Sequence, residues 1–168
     1  MILVAIGANL PNPVYGPPLS TCKAVIPALE RAGLRVTGCS RWYESAPVPA
    51  SSQPWYVNGV VAVATTLDAM EVLTVLLDIE AAFGRRRGQR NAARTLDLDL
   101  IAYNDRVIAD ETGEHALIVP HPRLQDRAFV LRPLADVAPQ WRHPKSGVSV
   151  DQLIADLENP GSARPITE

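Results

Sequence analysis

The sequence lacks several features that define common functional classes. Its 168 residues include only two cysteines, Cys22 and Cys39, and their spacing fits neither a zinc knuckle nor a CxxC redox motif. No apolar stretch approaches the ~20 residues that span a bilayer, and the segment after Met1 lacks the basic flank of a secretory signal. No GxxxxGK[ST] motif occurs, which excludes a P-loop. We therefore expect a soluble cytoplasmic protein with no membrane partner.

Lysine is also scarce. Lys23 and Lys145 are the only lysines among 16 basic residues, and the rest are arginines. The formal net charge of -2 argues against general nucleic-acid binding, which normally requires a basic face. Because arginine presents a planar fork of donors suited to phosphate, clustered arginines predict a local anion site.

Length and hydrophobic periodicity predict a single domain over residues 1–158, followed by a frayed tail at 159–168. The order of elements fits a split βαβ sandwich of the α+β class, in which helices cover one face of a mainly antiparallel sheet and leave the other for loops and ligand. The predicted strands are residues 2–6, 35–43, 56–66 and 95–103, with a hairpin arm at 107–108. The predicted helices are residues 20–32, a capped helix from Asp68 to Gly84, and short helices at 128–134 and 150–157.

One strand carries paired acids. Residues 94–100 read Arg-Thr-Leu-Asp-Leu-Asp-Leu, so Asp97 and Asp99 share one face and the leucines share the other. Alone, an Asp-x-Asp pair is more often part of an ordinary polar sheet face. Here five arginines stand just upstream in residues 84–94. Arginines beside paired acids make sense if a polyphosphate lies between them, with Mg²⁺ bridging its oxygens to the carboxylates.

Other candidate residues lie near this segment. Glu80 stands one helical turn before the arginines, where it either orients Arg85 or contacts a nucleotide. Tyr56 and Asn58 share a strand face, and an aromatic ring beside an amide suits a flat heterocycle, although a strand tyrosine more often serves packing. Two other functions remain open: a two-metal nucleotidyl or cyclase-type transferase that releases pyrophosphate, and an RNA-binding sandwich that uses the arginine loop.

An ordered series of motifs makes this sequence resemble the 6-hydroxymethyl-7,8-dihydropterin pyrophosphokinase family. The Arg-Thr-Leu-Asp-Leu-Asp stretch is its most specific part. The matching segments are Gly7-Ala8-Asn9-Leu10, Tyr43 to Val48, Gln53 to Asn58, Glu80 with Gly84-Arg85, Arg94 to Asp99, Pro120 to Arg123, Arg127 to Leu131 and Pro133-Leu134. Two departures stand out: Ala8 and Pro11 replace a serine and a glycine usual in the family, and Asn91-Ala92-Ala93 stands where many members have Trp-Gly-Pro.

The resemblance implies a small, monomeric, cytosolic enzyme with a ferredoxin-like fold. It implies transfer of pyrophosphate from ATP to a pterin alcohol, with three loops, residues 8–18, 44–54 and 84–94, that close over the substrates. The implied catalytic residues are Arg85, Arg94, Asp97 and Asp99, and the two aspartates would hold two Mg²⁺ ions. The implied pterin-binding residues are Ser45, Ala46, Val48, Tyr56, Asn58 and Phe129. The implied ATP-binding residues are Glu80, Arg85, Arg94, His121 and Arg127.

Overall fold

A computed structural model describes residues 1–85, 88 and 92–167. The arginine run predicted to form part of the third closing loop therefore lies largely outside the described residues, since it includes Arg86, Arg87 and Arg90. The strands are β1 (Ile2–Ala8), β2 (Arg35–Cys39), β3 (Tyr43–Ser45), β4 (Tyr56–Ala64), β5 (Asp97–Tyr103), β6 (Ile108–Asp110), β7 (Leu117–Val119) and β8 (Ala163–Pro165). The helices are α1 (Pro18–Arg31), α2 (Ala69–Ala82), α3 (Ala128–Val137) and α4 (Val150–Ala155).

The main sheet has the order β5-β1-β4-β3-β8, and β2 also pairs with β4. Every pairing in it is antiparallel. Strands β1 and β4 lie at its centre and are mostly buried, which fits their largely apolar sequences. The predicted α+β sandwich with a mainly antiparallel sheet is therefore confirmed.

Helices cover both faces of the sheet, so the prediction that they cover only one face is wrong. On the first face, α1 and α2 pack on a cluster that includes Val4, Leu76 and Leu98. On the second face, α3 and α4 pack on a cluster that includes Leu3 and Ile101. The short helices were visible in the sequence, but the face on which they pack depends on contacts distant along the chain.

Two further predictions are corrected. The hairpin arm expected at residues 107–108 is β6, which pairs with β7 in a separate two-stranded sheet rather than folding back on β5. The tail expected to fray at 159–168 instead contains β8, which pairs with β3, and the Ile166 N–H donates to the Trp42 carbonyl at 2.8 Å. Ala163 is fully buried in this tail. Both segments are ordered by pairing with distant strands, and a local sequence pattern cannot predict such pairing.

Register across the centre of the sheet determines where polar groups meet. Gly7 in β1 lies opposite Asn58 in β4 on one side and opposite Asp97 in β5 on the other. Ala5, two residues earlier on the same strand, lies opposite Asp99. The sheet thus carries an amide and two carboxylates beside a glycine that has no side chain. Among the described residues, no helix is both long enough and apolar enough to cross a membrane.

Candidate active site

A cavity of about 310 Å³ opens beside Gly7, where β1, β4 and β5 meet. Its walls come from these three strands, from the loop that follows β3, and from the segment between β7 and α3. The residues lining it are Gly7, Ser45, Ala46, Pro47, Val48, Pro49, Ser51, Gln53, Tyr56, Asn58, Arg94, Asp97, Asp99, His121, Arg123, Arg127 and Phe129. Eleven of the thirteen residues proposed from the sequence are in this set; Glu80 and Arg85 are the other two.

The paired acids occupy the face that strand alternation predicts. Leu96, Leu98 and Leu100 are buried in the core beneath them. Asp97 Oδ1 accepts hydrogen bonds from Arg85 Nη1 at 2.9 Å and from Arg94 Nη1 at 2.8 Å. One carboxylate oxygen therefore holds two guanidinium groups at the cavity wall.

Asp99 is the less compensated acid. Arg127 Nη1 lies 3.8 Å from Asp99 Oδ2, beyond hydrogen-bond distance. Burial, followed by the charge of Asp97, raises the pKa of Asp99 to about 7, although Arg127 acts in the opposite direction. Two carboxylates this close favour a bound cation, because a cation would relieve their repulsion.

Glu80 lies beneath the cavity and not in its wall. The residue is 4% exposed, and its carboxylate accepts the Leu98 N–H at 2.7 Å and pairs with Arg85 Nη1. Arg85 thus bridges Glu80 and Asp97. Of the two roles that the sequence left open for Glu80, this geometry favours orienting Arg85.

On the β4 side of Gly7, the cavity wall has uncharged polar and aromatic groups. Asn58 is 5% exposed, and its Nδ2 donates to Ser45 Oγ at 2.8 Å. Tyr56 lines the same wall, and burial raises the pKa of its hydroxyl, which therefore stays protonated. Val48, 74% exposed, lies at the mouth. An oriented amide and hydroxyl beside an aromatic ring are suited to the edge of a flat, hydrogen-bonding ring.

Three residues between β7 and α3 complete the wall. Arg127 lies over the ring of Phe129, 5.5 Å from its centroid. Burial and the positive charges of Arg127 and Arg123 lower the pKa of His121 to about 4, so its imidazole is neutral at pH 7. His121 Nδ1 accepts the Arg123 N–H at 3.2 Å, which leaves the proton on Nε2.

Some residues of this site carried no assigned role in the sequence. Arg123, Gln53 and Gly7 line the cavity, and all three belong to motifs that the sequence shares with the family it resembles. Asn9, 1% exposed, belongs to the first of these motifs and hydrogen-bonds to Gln53 and Arg94 without lining the cavity. The motifs drew attention to these segments, but only the fold shows which side chains meet.

Comparison with known proteins identifies similar chains and folds. The family model for 7,8-dihydro-6-hydroxymethylpterin-pyrophosphokinase (HPPK) matches residues 3–139. A 2-amino-4-hydroxy-6-hydroxymethyldihydropteridine pyrophosphokinase of Synechocystis is 41% identical over 157 residues, which cover 93% of this chain and 75% of that protein. The Pseudomonas aeruginosa protein of the same name is 38% identical over 155 residues, covering 92% of this chain and 90% of that one.

Solved structures share the fold. A Plasmodium falciparum HPPK-DHPS double mutant with pterin and p-hydroxybenzoate aligns with a TM-score of 0.69 at 14% identity, covering 90% of this chain and 42% of that one. The chain therefore spans less than half of that longer protein. The ferredoxin-like architecture implied by the sequence resemblance is confirmed.

Proposed function

Since the chain belongs to the 7,8-dihydro-6-hydroxymethylpterin-pyrophosphokinase family, whose members are diphosphotransferases of folate biosynthesis, we propose that it transfers pyrophosphate from ATP to 6-hydroxymethyl-7,8-dihydropterin. The products are AMP and the pterin diphosphate. The observation that carries this proposal is the cavity itself, in which the Asp97–Asp99 pair and the guanidinium groups of Arg94 and Arg127 stand beside a neutral aromatic and amide pocket.

The neutral end of the cavity is the proposed pterin site. Asn58 is held by Ser45 and presents its remaining amide groups to the edge of the ring, while Tyr56 and Phe129 supply aromatic surfaces. Ala46 and Val48 would close the pocket at its mouth. A planar heterocycle with several donors and acceptors matches this combination of flat apolar contact and oriented polar groups.

The charged end is the proposed ATP site. Arg94, Arg127 and neutral His121 line it, and Arg85 stands just behind Asp97. In this proposal the guanidinium groups bind the phosphate oxygens and His121 donates from Nε2. Glu80 keeps Arg85 in place from below, so its contribution to ATP binding is indirect.

The donor set fits magnesium. The described residues contain no cluster of three or more His, Cys, Asp or Glu side chains that could hold a metal alone. Mg²⁺ is commonly held by one or two carboxylates together with substrate phosphates and water, so Asp97 and Asp99 suffice for two such ions. Bound there, the ions would neutralise the triphosphate and favour attack at phosphorus.

The chain's own residues act mainly by positioning. In the proposed reaction the pterin hydroxyl oxygen forms a bond to the β-phosphorus and its proton passes to solvent. The bond from the β-phosphorus to the oxygen that bridges to the α-phosphorus breaks, and AMP leaves with that oxygen and the bonding electron pair. Phosphoryl-type transfer requires alignment and charge stabilisation more than covalent help from the protein. Arg94 and Arg127 face the charge that develops on the phosphate oxygens, while the pterin pocket directs the hydroxyl towards the β-phosphorus. We propose that the protein acts in this way as a cytoplasmic monomer.

Replacing Asp97 tests the proposal. Asp97→Asn keeps the shape of the side chain but removes the charge that two arginines and a metal would share, so we expect pterin diphosphate formation to fall at least about 100-fold. Phosphorus NMR of the products with Mg-ATP and the pterin measures it. Asp78→Asn, at an exposed position of α2, is the matched control and should retain wild-type turnover.

Product identity separates this function from its closest rival. AMP and diphosphorylated pterin in equal amounts support pyrophosphate transfer. Release of free pyrophosphate by the wild-type protein would instead indicate a nucleotidyl or cyclase-type transferase. Near-wild-type turnover by Asp97→Asn would contradict the proposed role of the acidic pair.

A further inference from the structure

Asn9 lies at the end of β1, between the two halves of the site, although it does not line the cavity. It is 1% exposed, and its side chain makes three hydrogen bonds to residues distant in sequence. When the side-chain oxygen of a buried asparagine bonds one segment and its side-chain nitrogen bonds another, the asparagine fixes the distance between those segments.

The side-chain oxygen of Asn9 holds Arg94. Asn9 Oδ1 accepts the Arg94 N–H at 2.8 Å. The backbone N–H groups of Asn9 and Leu10 both donate to the Arg94 carbonyl, at 3.1 and 3.2 Å. Both peptide groups that flank the Arg94 Cα are thus anchored to the end of β1. Asn9 therefore fixes the backbone position from which the Arg94 side chain extends to Asp97, where its Nη1 donates at 2.8 Å.

The side-chain nitrogen of Asn9 holds residues 44–54, which we call the pterin loop because the proposed pterin site includes several of them. Asn9 Nδ2 donates to Gln53 Oε1 and to the Pro54 carbonyl, each at 3.1 Å. Gln53 lines the cavity, and Pro54 lies two residues before Tyr56. Movement of this loop around a substrate would therefore act directly on the Asn9 amide.

We propose that Asn9 is a positioning residue that couples the pterin loop to Arg94, so that occupation of one end of the site determines where the guanidinium group stands at the other. This inference rests on the proposed function, because that function requires the two ends to hold different substrates. Asn9 touches neither substrate and acts through Arg94 and Gln53.

Asn12 provides a matched comparison in the same segment. It is 5% exposed and also makes three side-chain hydrogen bonds: Nδ2 donates to the Phe83 carbonyl, and Oδ1 accepts the Val14 and Tyr15 N–H groups. Asn12 therefore has similar burial and the same number of bonds, but these bonds contact neither the pterin loop nor Arg94. A purely structural role would make the two asparagines equivalent.

The first test is hydrogen exchange at the Arg94 amide in unliganded protein. Asn9→Ala should accelerate this exchange at least tenfold, since the acceptor is lost, and Asn12→Ala should change it less than twofold. Gln53→Ala should accelerate it at least threefold, because Gln53 accepts a hydrogen bond from Asn9 Nδ2 and loss of that bond frees the amide that holds the Arg94 N–H. In an Asn9→Ala background, Gln53→Ala should have no further effect.

The second test measures kcat and KM separately in the diphosphate-forming reaction. Gln53→Ala should raise the KM for the pterin in either background, because Gln53 lines the cavity. It should lower kcat several-fold only when Asn9 is present. Asn9→Ala should lower kcat at least tenfold, and Asn12→Ala should preserve the effect of Gln53→Ala on kcat.

The outcomes separate this inference from the function on which it rests. If wild-type protein forms no AMP from ATP and the pterin, the proposed function fails, and the exchange data alone decide whether Asn9 transmits changes from Gln53 to Arg94. If the wild type is active but the effects of the Asn9 and Gln53 substitutions on exchange and on kcat are additive, the coupling is overturned. Equal exchange at Arg94 in the Asn9 and Asn12 variants would overturn it as well.

Discussion

At the scale of single residues, the charge of two groups in the cavity depends on their burial and not on residue type alone. His121 and Asp99 illustrate this in opposite directions, because burial disfavours the charged form of each and therefore lowers the pKa of the imidazole and raises that of the carboxyl. The two groups consequently present less charge to the cavity than their ordinary pKa values would suggest. Local sequence cannot reveal such shifts, since they depend on side chains that the fold brings together.

The lowered pKa of His121 makes stability depend on pH. Its pKa is about 4 in the folded protein and near 6.5 in an unfolded chain. Between these values the unfolded chain binds a proton that the folded protein excludes, so the contribution of His121 to the free energy of unfolding should fall as pH is lowered from 6.5 to 4. The contribution of this one group is at most about 3 kcal/mol. Asp99 acts in the opposite direction, because its raised pKa makes the folded protein bind the extra proton.

His121→Asn should remove this contribution of His121, because asparagine cannot take up the proton. Urea denaturation of both proteins at pH 7, 5.5 and 4 measures the difference. A residual slope is expected in the variant, since burial also lowers the pKa of His143 and raises the pKa of Asp99 and of Glu80. Identical slopes for wild type and variant would show that His121 is not the group responsible.

At the scale of elements, α2 is the one whose start the sequence specified most fully. Asp68 accepts the Glu71 N–H at 2.9 Å, and the Glu71 carboxylate accepts the Asp68 N–H at 2.8 Å, as the capping-box pattern predicts. Both partners are local, so the sequence alone identifies them. The helix then carries Glu80 to its position beneath Arg85.

Removing this cap should destabilise the protein without changing the site. Asp68→Ala should lower the free energy of unfolding by about 1 to 2 kcal/mol, the usual cost of losing an N-cap side chain. Asp78→Ala removes an exposed carboxylate from the same helix and should change stability by less than about 0.5 kcal/mol. Denaturant unfolding of the two variants provides the comparison, and equal stabilities would contradict the capping assignment.

Features with a local cause could be predicted, and those that depend on distant contacts could not. Strand alternation placed Asp97, Asp99, Tyr56 and Asn58 on the faces that the structure shows. The hydrogen bonds of Asn9 join residues 44 and 85 positions away, and no periodicity encodes them. The pairing of β8 with β3 escaped prediction for the same reason.

At the scale of the whole molecule, the C-terminal segment supports the wall of the cavity proposed to bind the pterin. Ala163 in β8 lies opposite Ser45 in β3, and Ser45 in turn holds Asn58. Ala163 is fully buried in a small cluster with Tyr43 and Ala128. A segment near the end of the chain therefore reinforces a wall of the cavity built more than a hundred residues earlier.

Placing a charge in this cluster should weaken that support. Ala163→Asp would bury an unpaired carboxylate, so we expect a loss of about 2 to 4 kcal/mol in the free energy of unfolding or release of β8, together with a higher KM for the pterin. Arg164→Ala is the control, because its ion pair with Glu44 is solvent-exposed and should contribute less than about 1 kcal/mol. Unfolding curves and substrate kinetics report the two effects, and an unchanged KM despite lost stability would limit β8 to a role in folding.

The glycine at position 7 has a consequence for inhibitor design. A Cβ there would stand 3.3 Å from Asn58 Oδ1, so any other residue would crowd the amide that Ser45 orients. A competitive inhibitor that rests on this bare stretch of backbone would contact a surface that substitution at position 7 can alter only by displacing Asn58, a residue of the proposed pterin pocket.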